Sequence, residues 1–180
     1  MQDDVIVLAG GCFWCTQAVL QRLRGVRRTV CGYAQGHVEQ PTYEQVCTGT
    51  TGCAEAVQVT YDAQQLPLRV LLEVFFATHD PTTPNRQGAD VGPQYRSGIY
   101  WTRPQQGELA RALIEALQAQ RRWPDPIVTE VEPLHRFTPA EPEHQHYHDR
   151  HPWAGYCVAV IDPKLAKLRQ QFAAWLQPPA

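Results

Sequence analysis

Cys12 lies in the run Ala9-Gly10-Gly11-Cys12-Phe13-Trp14-Cys15, with two glycines freeing the backbone ahead of a thiol and two large aromatics following it. The apolar stretch Val5–Leu8 before it reads as a buried strand. Thr16–Arg24 after it reads as a helix with Ala18, Val19, Leu20 and Leu23 on its apolar side. The thiol is therefore expected at a strand-to-helix turn. Unpaired N–H groups at a helix start lower a thiol's pKa from ~8.5 towards neutrality, and the thiolate is the attacking species. Cys12-x-x-Cys15 is equally the spacing of a redox dithiol and half of a zinc ligand set. Nucleophilic attack, disulfide exchange, metal binding and structural burial all remain open for Cys12 at this level.

A zinc site needs a second pair of ligands, and Cys31, Cys47 and Cys53 form no tight pair. His144, His146 and His148, with His151 beyond, recur every two residues, which on a helix throws successive side chains roughly 200° apart. That segment reads as a solvated polar helix, and no metal site is predicted.

The elements that must position Cys12 follow from periodicity. Val26–Gly32 reads as a strand, and Glu55–Asp62 alternates apolar and polar as a half-buried strand does. Pro67 opens a helix that Asp80-Pro81 ends near His79, and Pro81–Ser97 is a long polar loop of a kind that often carries function. Gly98–Trp101 is a strand, Pro104–Gln120 a helix, Ile127–Glu132 a strand and Lys164–Leu176 a helix. The interleaving lacks an even βαβ rhythm and predicts an α+β fold, a two-layer sandwich with a central mixed sheet. A chain of 180 residues with 43% hydrophobic content can bury one core, so a single domain is expected, with extended loops from its 15 prolines. The net charge of −2 offers no electrostatic reason for nucleic acid or an anionic membrane as partner. Val5–Leu8 is too short for a signal-peptide core and follows Asp3 and Asp4, which points to the cytoplasm. In a reducing compartment the six cysteines are redox, metal or buried thiols and not a disulfide framework.

Gly11-Cys12-Phe13-Trp14, Pro41-Thr42-Tyr43-Glu44-Gln45-Val46, Ala54-Glu55-Ala56-Val57, His79-Asp80-Pro81-Thr82-Thr83, Asn85 to Gly92 and Gln94-Tyr95-Arg96-Ser97 occur in this order. Together with Ile127-Val128-Thr129-Glu130 and Gly155-Tyr156-Cys157, they make the chain resemble the peptide methionine sulfoxide reductase A family from about Val5 to Ile161. The resemblance implies one such domain over residues 1–180 and a ferredoxin-like core. It also implies reduction of the S epimer of methionine sulfoxide, free or peptide-bound.

In that reading Cys12 attacks the sulfoxide sulfur. Oxide leaves only if protonated, and Glu55 matches the family's proton donor, a task that needs burial to raise its pKa to ~6–7. Tyr43 and Tyr95 match phenol donors to the sulfoxide oxygen, Asp90 matches a carboxylate of the same cluster, and Phe13 and Trp14 match the walls of a slot for the S-methyl group. The resulting sulfenic acid condenses with a second thiol. Cys157 matches the resolving position of many relatives and Cys15 is its rival; Cys157 is preferred because a short Cys12–Cys15 ring would strain the helix start. No resident cofactor is implied. Electrons come from thioredoxin, or from dithiothreitol in its place, and a monomer is the default. Two positions depart from the family pattern: Cys53, where histidine is usual, and His146 before Tyr147, where an acidic residue is common. A general CxxC thiol–disulfide oxidoreductase, resting on Cys12 and Cys15 alone, is the alternative.

Overall fold

A computed structural model describes residues 3–178. Its centre is the unit β1 (Asp3–Gly10), α1 (Phe13–Leu20), β2 (Val26–Gln35), α2 (Tyr43–Cys47), β3 (Cys53–Asp62) and α3 (Leu68–Ala77). The short hairpin β4 (Arg86–Gln87) and β5 (Asp90–Val91) follows, then β6 (Ser97–Trp101), α4 (Pro104–Ala119), β7 (Glu130–Pro133), β8 (Phe137–Pro139), α5 (Tyr147–Arg150) and α6 (Asp162–Phe172). Six strands form one mixed sheet in the order β7-β6-β1-β3-β2-β8, antiparallel except for the parallel β6–β7 pair. The expected α+β arrangement with a central mixed sheet is present.

The two faces of the sheet differ because strand residues alternate between them. Ile6, Leu8, Val57, Val59, Tyr61 and Ile99 pack large side chains against Val19, Leu20, Leu72, Phe75, Leu113 and Leu168 of the helices. Val7, Ala9, Ala34, Ala54, Ala56 and Tyr100 form a thinner cluster on the opposite face, covered by Leu134 and Phe137. For this reason β3 is not the half-buried strand its alternation predicts: it runs between β1 and β2, and eight of its ten residues are buried. Sequence period reports side-chain chemistry, whereas the covering segment comes from far along the chain.

Other boundaries move for local reasons. Helix α1 begins at Phe13, earlier than its apolar pattern indicates, and ends at Leu20, because Arg22, Leu23 and Arg24 pair instead with the C-terminal segment at Gln177, Leu176 and Trp175. The loop from Pro81 contains the β4–β5 hairpin. Strand β7 starts at Glu130, with Val128 donating its N–H to Pro81 instead. The histidine-rich segment is not a solvated helix: a 3-10 turn (Pro142–His144) and the short α5 flank His146, whose φ is +53°, and His144 and His148 are buried.

Three braces fix the surroundings of Cys12. The Gln145 side-chain amide pairs with both the N–H and the carbonyl of Cys31 at 2.9 Å, acting as an extra rung on the β2 edge and anchoring the segment after β8. The Gln87 amide spans Asp80 in the same two-bond manner at 2.9 and 2.8 Å. Its methylenes lie against Gly11, where φ is +97° and a Cβ would sit 2.5 Å from Gln87 Cγ. Arg96 bonds Glu130, Pro93 and Gly52 at 2.8–2.9 Å, which clamps the turn that carries Tyr95.

Gly32 lets β8 approach β2, since a Cβ there would lie 2.3 Å from the Phe137 ring and 2.5 Å from the Thr138 carbonyl oxygen. Gly32→Ala is expected to cost ~1–3 kcal/mol by overpacking and to lower Tm by roughly 3–10 °C in calorimetry. An unchanged Tm would show that β8 is not held tightly.

Candidate active site

Glu55 stands on the helix-facing side of β3, beside Tyr33 of β2 in the antiparallel register, and is 1% exposed. Its Oε1 accepts the backbone N–H of Phe13 at 3.2 Å, the first residue of α1. Its Oε2 is buried and has no hydrogen-bond partner. Burial raises the carboxyl pKa to about 8, against the lowering effect of the Phe13 N–H, and the nearby Asp90 and Cys15 raise it further. The group is therefore a neutral acid at pH 7. An orphaned buried oxygen on a neutral acid is a donor awaiting an acceptor.

Cys12 is the N-cap of α1 and partly buried. The expected lowering of its pKa does not hold. Burial, a hydrogen bond to Cys15 and the proximity of Glu55 raise it, and these outweigh the backbone N–H of Trp14. Its partner moves the other way: Cys15, 3% exposed, is lowered to about 7, chiefly by the hydrogen bond from Cys12, then by the Lys164 ammonium and the Tyr156 hydroxyl. Two thiols this close lose one proton readily and hold the second. Within the pair the proton is held more tightly on Cys12 and more loosely on Cys15.

Tyr43 opens α2 and Tyr95 ends the 3-10 turn Pro93–Tyr95; both are half-buried. Burial and the proximity of Glu55 hold both phenols protonated far above neutral pH, so they remain donors. Tyr43 is set in place by Glu141, whose Oε2 accepts the Tyr43 N–H at 2.9 Å while its Oε1 accepts the Tyr33 hydroxyl at 2.7 Å. Asp90, on β5, accepts the Tyr156 hydroxyl at 3.0 Å, and that hydroxyl is 3.4 Å from Cys15 Sγ. Asp90 thus joins the thiol pair through Tyr156 while its charge also reaches Glu55 and Tyr95.

Phe13 is fully buried, its ring centroid 5.7 Å from Tyr33, 5.5 Å from His144 and 6.5 Å from Tyr43. Trp14 is half-buried and stacks on Tyr147 at 3.8 Å; its indole N–H donates to His144 Nδ1 at 3.2 Å, and Tyr156 meets it edge-on at 5.9 Å. Cys157 is fully buried in the π-helical turn Cys157–Ile161, where its charged neighbours are Cys15 and Asp162. A cavity of about 160 Å³ lies against both Cys12 and Cys15 and is bounded also by Asp90, Tyr156, Val160 and Lys164.

Tyr156, His144, Tyr147 and Glu141 have no role assigned from sequence, although Tyr156 stands in the motif Gly155-Tyr156-Cys157. Donor atoms of Glu141, Glu143 and His144 lie within 4.8 Å of one another. Both Glu141 oxygens and His144 Nδ1 already accept hydrogen bonds, so Glu141 and His144 serve as polar braces for Tyr43 and Trp14.

Comparison with known proteins agrees with this geometry. The family profile described as Peptide methionine sulfoxide reductase matches residues 4–176. The chain is 54% identical over 170 residues to the peptide methionine sulfoxide reductase MsrA of Paenarthrobacter aurescens, covering 94% of this chain and 97% of that one. It is 51% identical over 178 residues to the MsrA of Thermus thermophilus, covering 99% and 100%. Among solved structures, reduced Mxr1 of Saccharomyces cerevisiae superposes with a TM-score of 0.80 at 36% identity, over 87% of this chain and 90% of that one. Methionine sulfoxide reductase A of Corynebacterium diphtheriae gives 0.76 at 35% identity, over 84% and 76%. A thiol at a helix N-cap beside a buried neutral carboxyl and two phenols, on a chain matched almost end to end, belongs to the peptide methionine sulfoxide reductase family.

Proposed function

We propose that this chain reduces the S epimer of methionine sulfoxide, free and peptide-bound, by attack of Cys12 Sγ on the sulfoxide sulfur. The observation that carries this reading is Glu55: a buried carboxyl with a pKa near 8 and one unpartnered oxygen, beside the N-cap thiol. Glu55 gives its proton to the sulfoxide oxygen, and Tyr43 and Tyr95 hold that oxygen as it becomes a leaving group. The sulfur–sulfur bond forms while the sulfur–oxygen bond breaks; the Cys12 thiol proton joins the Glu55 proton on that oxygen, and water departs. Hydrolysis of the resulting sulfonium frees methionine and leaves Cys12 as a sulfenic acid. Trp14 and Phe13, both packed against His144, provide the apolar side on which the S-methyl group rests. General thiol–disulfide exchange would leave the acid and both phenols without a task.

For the second thiol we favour Cys15 ahead of Cys157. Cys15 and Cys12 border the same cavity of about 160 Å³, which Cys157 does not reach, and the charged neighbours of Cys157 are Cys15 and Asp162. Residues three apart on a helix hold Cβ atoms ~5–6 Å apart, and a disulfide needs ~3.5–4.5 Å, a closure that an N-cap position can supply by a small shift. The strain expected of the short ring is correspondingly modest. Yeast Mxr1 has been crystallised in complex with Trx2, at 28% identity and a TM-score of 0.56 to this chain, which supports thioredoxin as the reductant.

These outcomes are expected. With dithiothreitol as reductant, the rate of S-sulfoxide reduction falls as pH rises through about 8, where Glu55 ionises, and Glu55→Gln loses ~10²–10⁴-fold of the rate together with that basic limb. Because the folded pKa of Glu55 lies above its unfolded value of ~4.3, the group favours folding fully below pH 4 and costs stability as pH rises towards 8. Glu55→Gln should therefore raise Tm by about 5 °C or more at pH 7.5 and by little at pH 4; a mutant less stable at pH 7.5 would count against a buried neutral acid. Cys12→Ser should be inactive with any reductant. Cys15→Ser should release one equivalent of methionine and leave a dimedone-reactive sulfenic acid; immediate disulfide closure in Cys15→Ser would assign resolution to Cys157.

A further inference from the structure

Lys164 sits in the first turn of α6, half-buried, and bounds the 160 Å³ cavity together with Cys12, Cys15, Asp90 and Tyr156. It also borders the small void between Cys15 and His79. Among the described residues it makes no hydrogen bond and no ion pair. The carboxylate nearest in sequence, Asp162, is instead bonded to His148 Nε2 at 3.0 Å. The π turn runs into α6 without a break, so Lys164 sits inside a continuous helix and no free helix end accounts for it. Its surroundings do: it is an unpaired ammonium facing a thiol pair.

We propose that Lys164 is a positioning residue for disulfide closure, its ammonium holding Cys15 as the thiolate that attacks the Cys12 sulfenic acid. This rests on the reading that Cys15 resolves Cys12. Each element around Cys15 presents a different group. Cys12 comes from the start of α1, Glu55 from β3, Asp90 from β5, Tyr156 and Cys157 from the chain entering the π turn, and Lys164 from α6. His79, at the end of α3, is held neutral by burial with its pKa near 4. Lys164 is thus the one cation among these groups.

The need for it arises during turnover. The Cys12 thiol is the largest influence lowering Cys15, and its S–H is replaced by an S–OH group once Cys12 carries oxygen. Lys164 and the Tyr156 hydroxyl remain. In the closing step the Cys15 sulfur forms a bond to Cys12 Sγ as the sulfur–oxygen bond breaks. Cys15 is oxidised, the sulfenic sulfur is reduced, and hydroxide leaves and takes a proton from solvent to become water.

The test is single turnover without reductant, following methionine release and disulfide closure separately in the wild type, Lys164→Met and Lys164→Arg across pH 5.5–9.5. The closure rate is read as a ratio to the methionine burst, so that any general loss of fold cancels. Removing the charge should move the midpoint of closure upward from its wild-type position, towards or past the free-thiol value of ~8.5. A thiolate of higher pKa is scarcer at neutral pH but intrinsically more nucleophilic, so Lys164→Met should close about threefold slower at pH 7 and faster than wild type at pH 9. Lys164→Arg should retain the wild-type profile. An unmoved midpoint in Lys164→Met, or a Lys164→Arg profile like that of Lys164→Met, overturns the assignment. Peptide mapping separates the two layers. A first disulfide between Cys12 and Cys157 overturns both this inference and the reading it rests on, whereas a Cys12–Cys15 bond with an unmoved midpoint removes Lys164 alone.

Discussion

The hydrogen bond from the Phe13 N–H to Glu55 Oε1 ties the sheet to the start of the first helix, and the rest of the site depends on it. It fixes the depth at which the carboxyl sits, and that depth keeps the acid neutral at a pH where an exposed glutamate would have ionised. It also sets the spacing between acid and thiol, since Phe13 follows Cys12 directly. Burying a carboxyl with an unpartnered oxygen opposes folding. The fold tolerates it because Glu55 belongs to the row of β3 whose next members, Val57, Val59 and Tyr61, are packed against the helices.

Around that bond the site divides into two halves with opposite electrical requirements. The half formed by Glu55, Tyr43 and Tyr95 keeps its protons, because burial and mutual proximity disfavour every anion there. The half formed by Cys15, Tyr156 and Lys164 favours a thiolate. Cys12 lies between them, its proton held more tightly than that of a free thiol despite its position at a helix N-terminus. Desolvation outweighs the backbone N–H groups, and the helix start contributes more by orienting Cys12 than by ionising it. Neither half is a product of one segment: Glu141 after β8 holds Tyr43, Gln87 of β4 packs under Gly11, and Arg96 clamps the turn of Tyr95.

Much of this was legible in the residues. The strand before Cys12, the helix after it and the mixed α+β arrangement follow from short apolar runs and helical spacing, and the resemblance assigned Glu55, Tyr43, Tyr95 and Asp90 to one site. The parts that escaped depend on contacts between distant segments. Alternation in β3 could not announce that Leu134 and Phe137 would cover its second face. The histidine spacing indicated a polar helix, whereas Gln145 pairs with Cys31 and draws His144 inward to Trp14. Tyr156 and Lys164 carry no local signature, since what matters about them is which thiol they face. The ionisation of Cys12 was expected in the wrong direction because burial and a second thiol are properties of the fold and not of the motif.

The central claim is that Glu55 is a neutral acid at physiological pH. It is tested most directly by titrating its carboxyl carbon by NMR in protein carrying ¹³C-labelled glutamate, with the resonance assigned by its absence in Glu55→Gln. A buried neutral acid gives a midpoint near pH 8, well separated from the exposed glutamates. A midpoint near pH 4.5 would mean that Glu55 is a carboxylate beside the thiols, and would contradict the account.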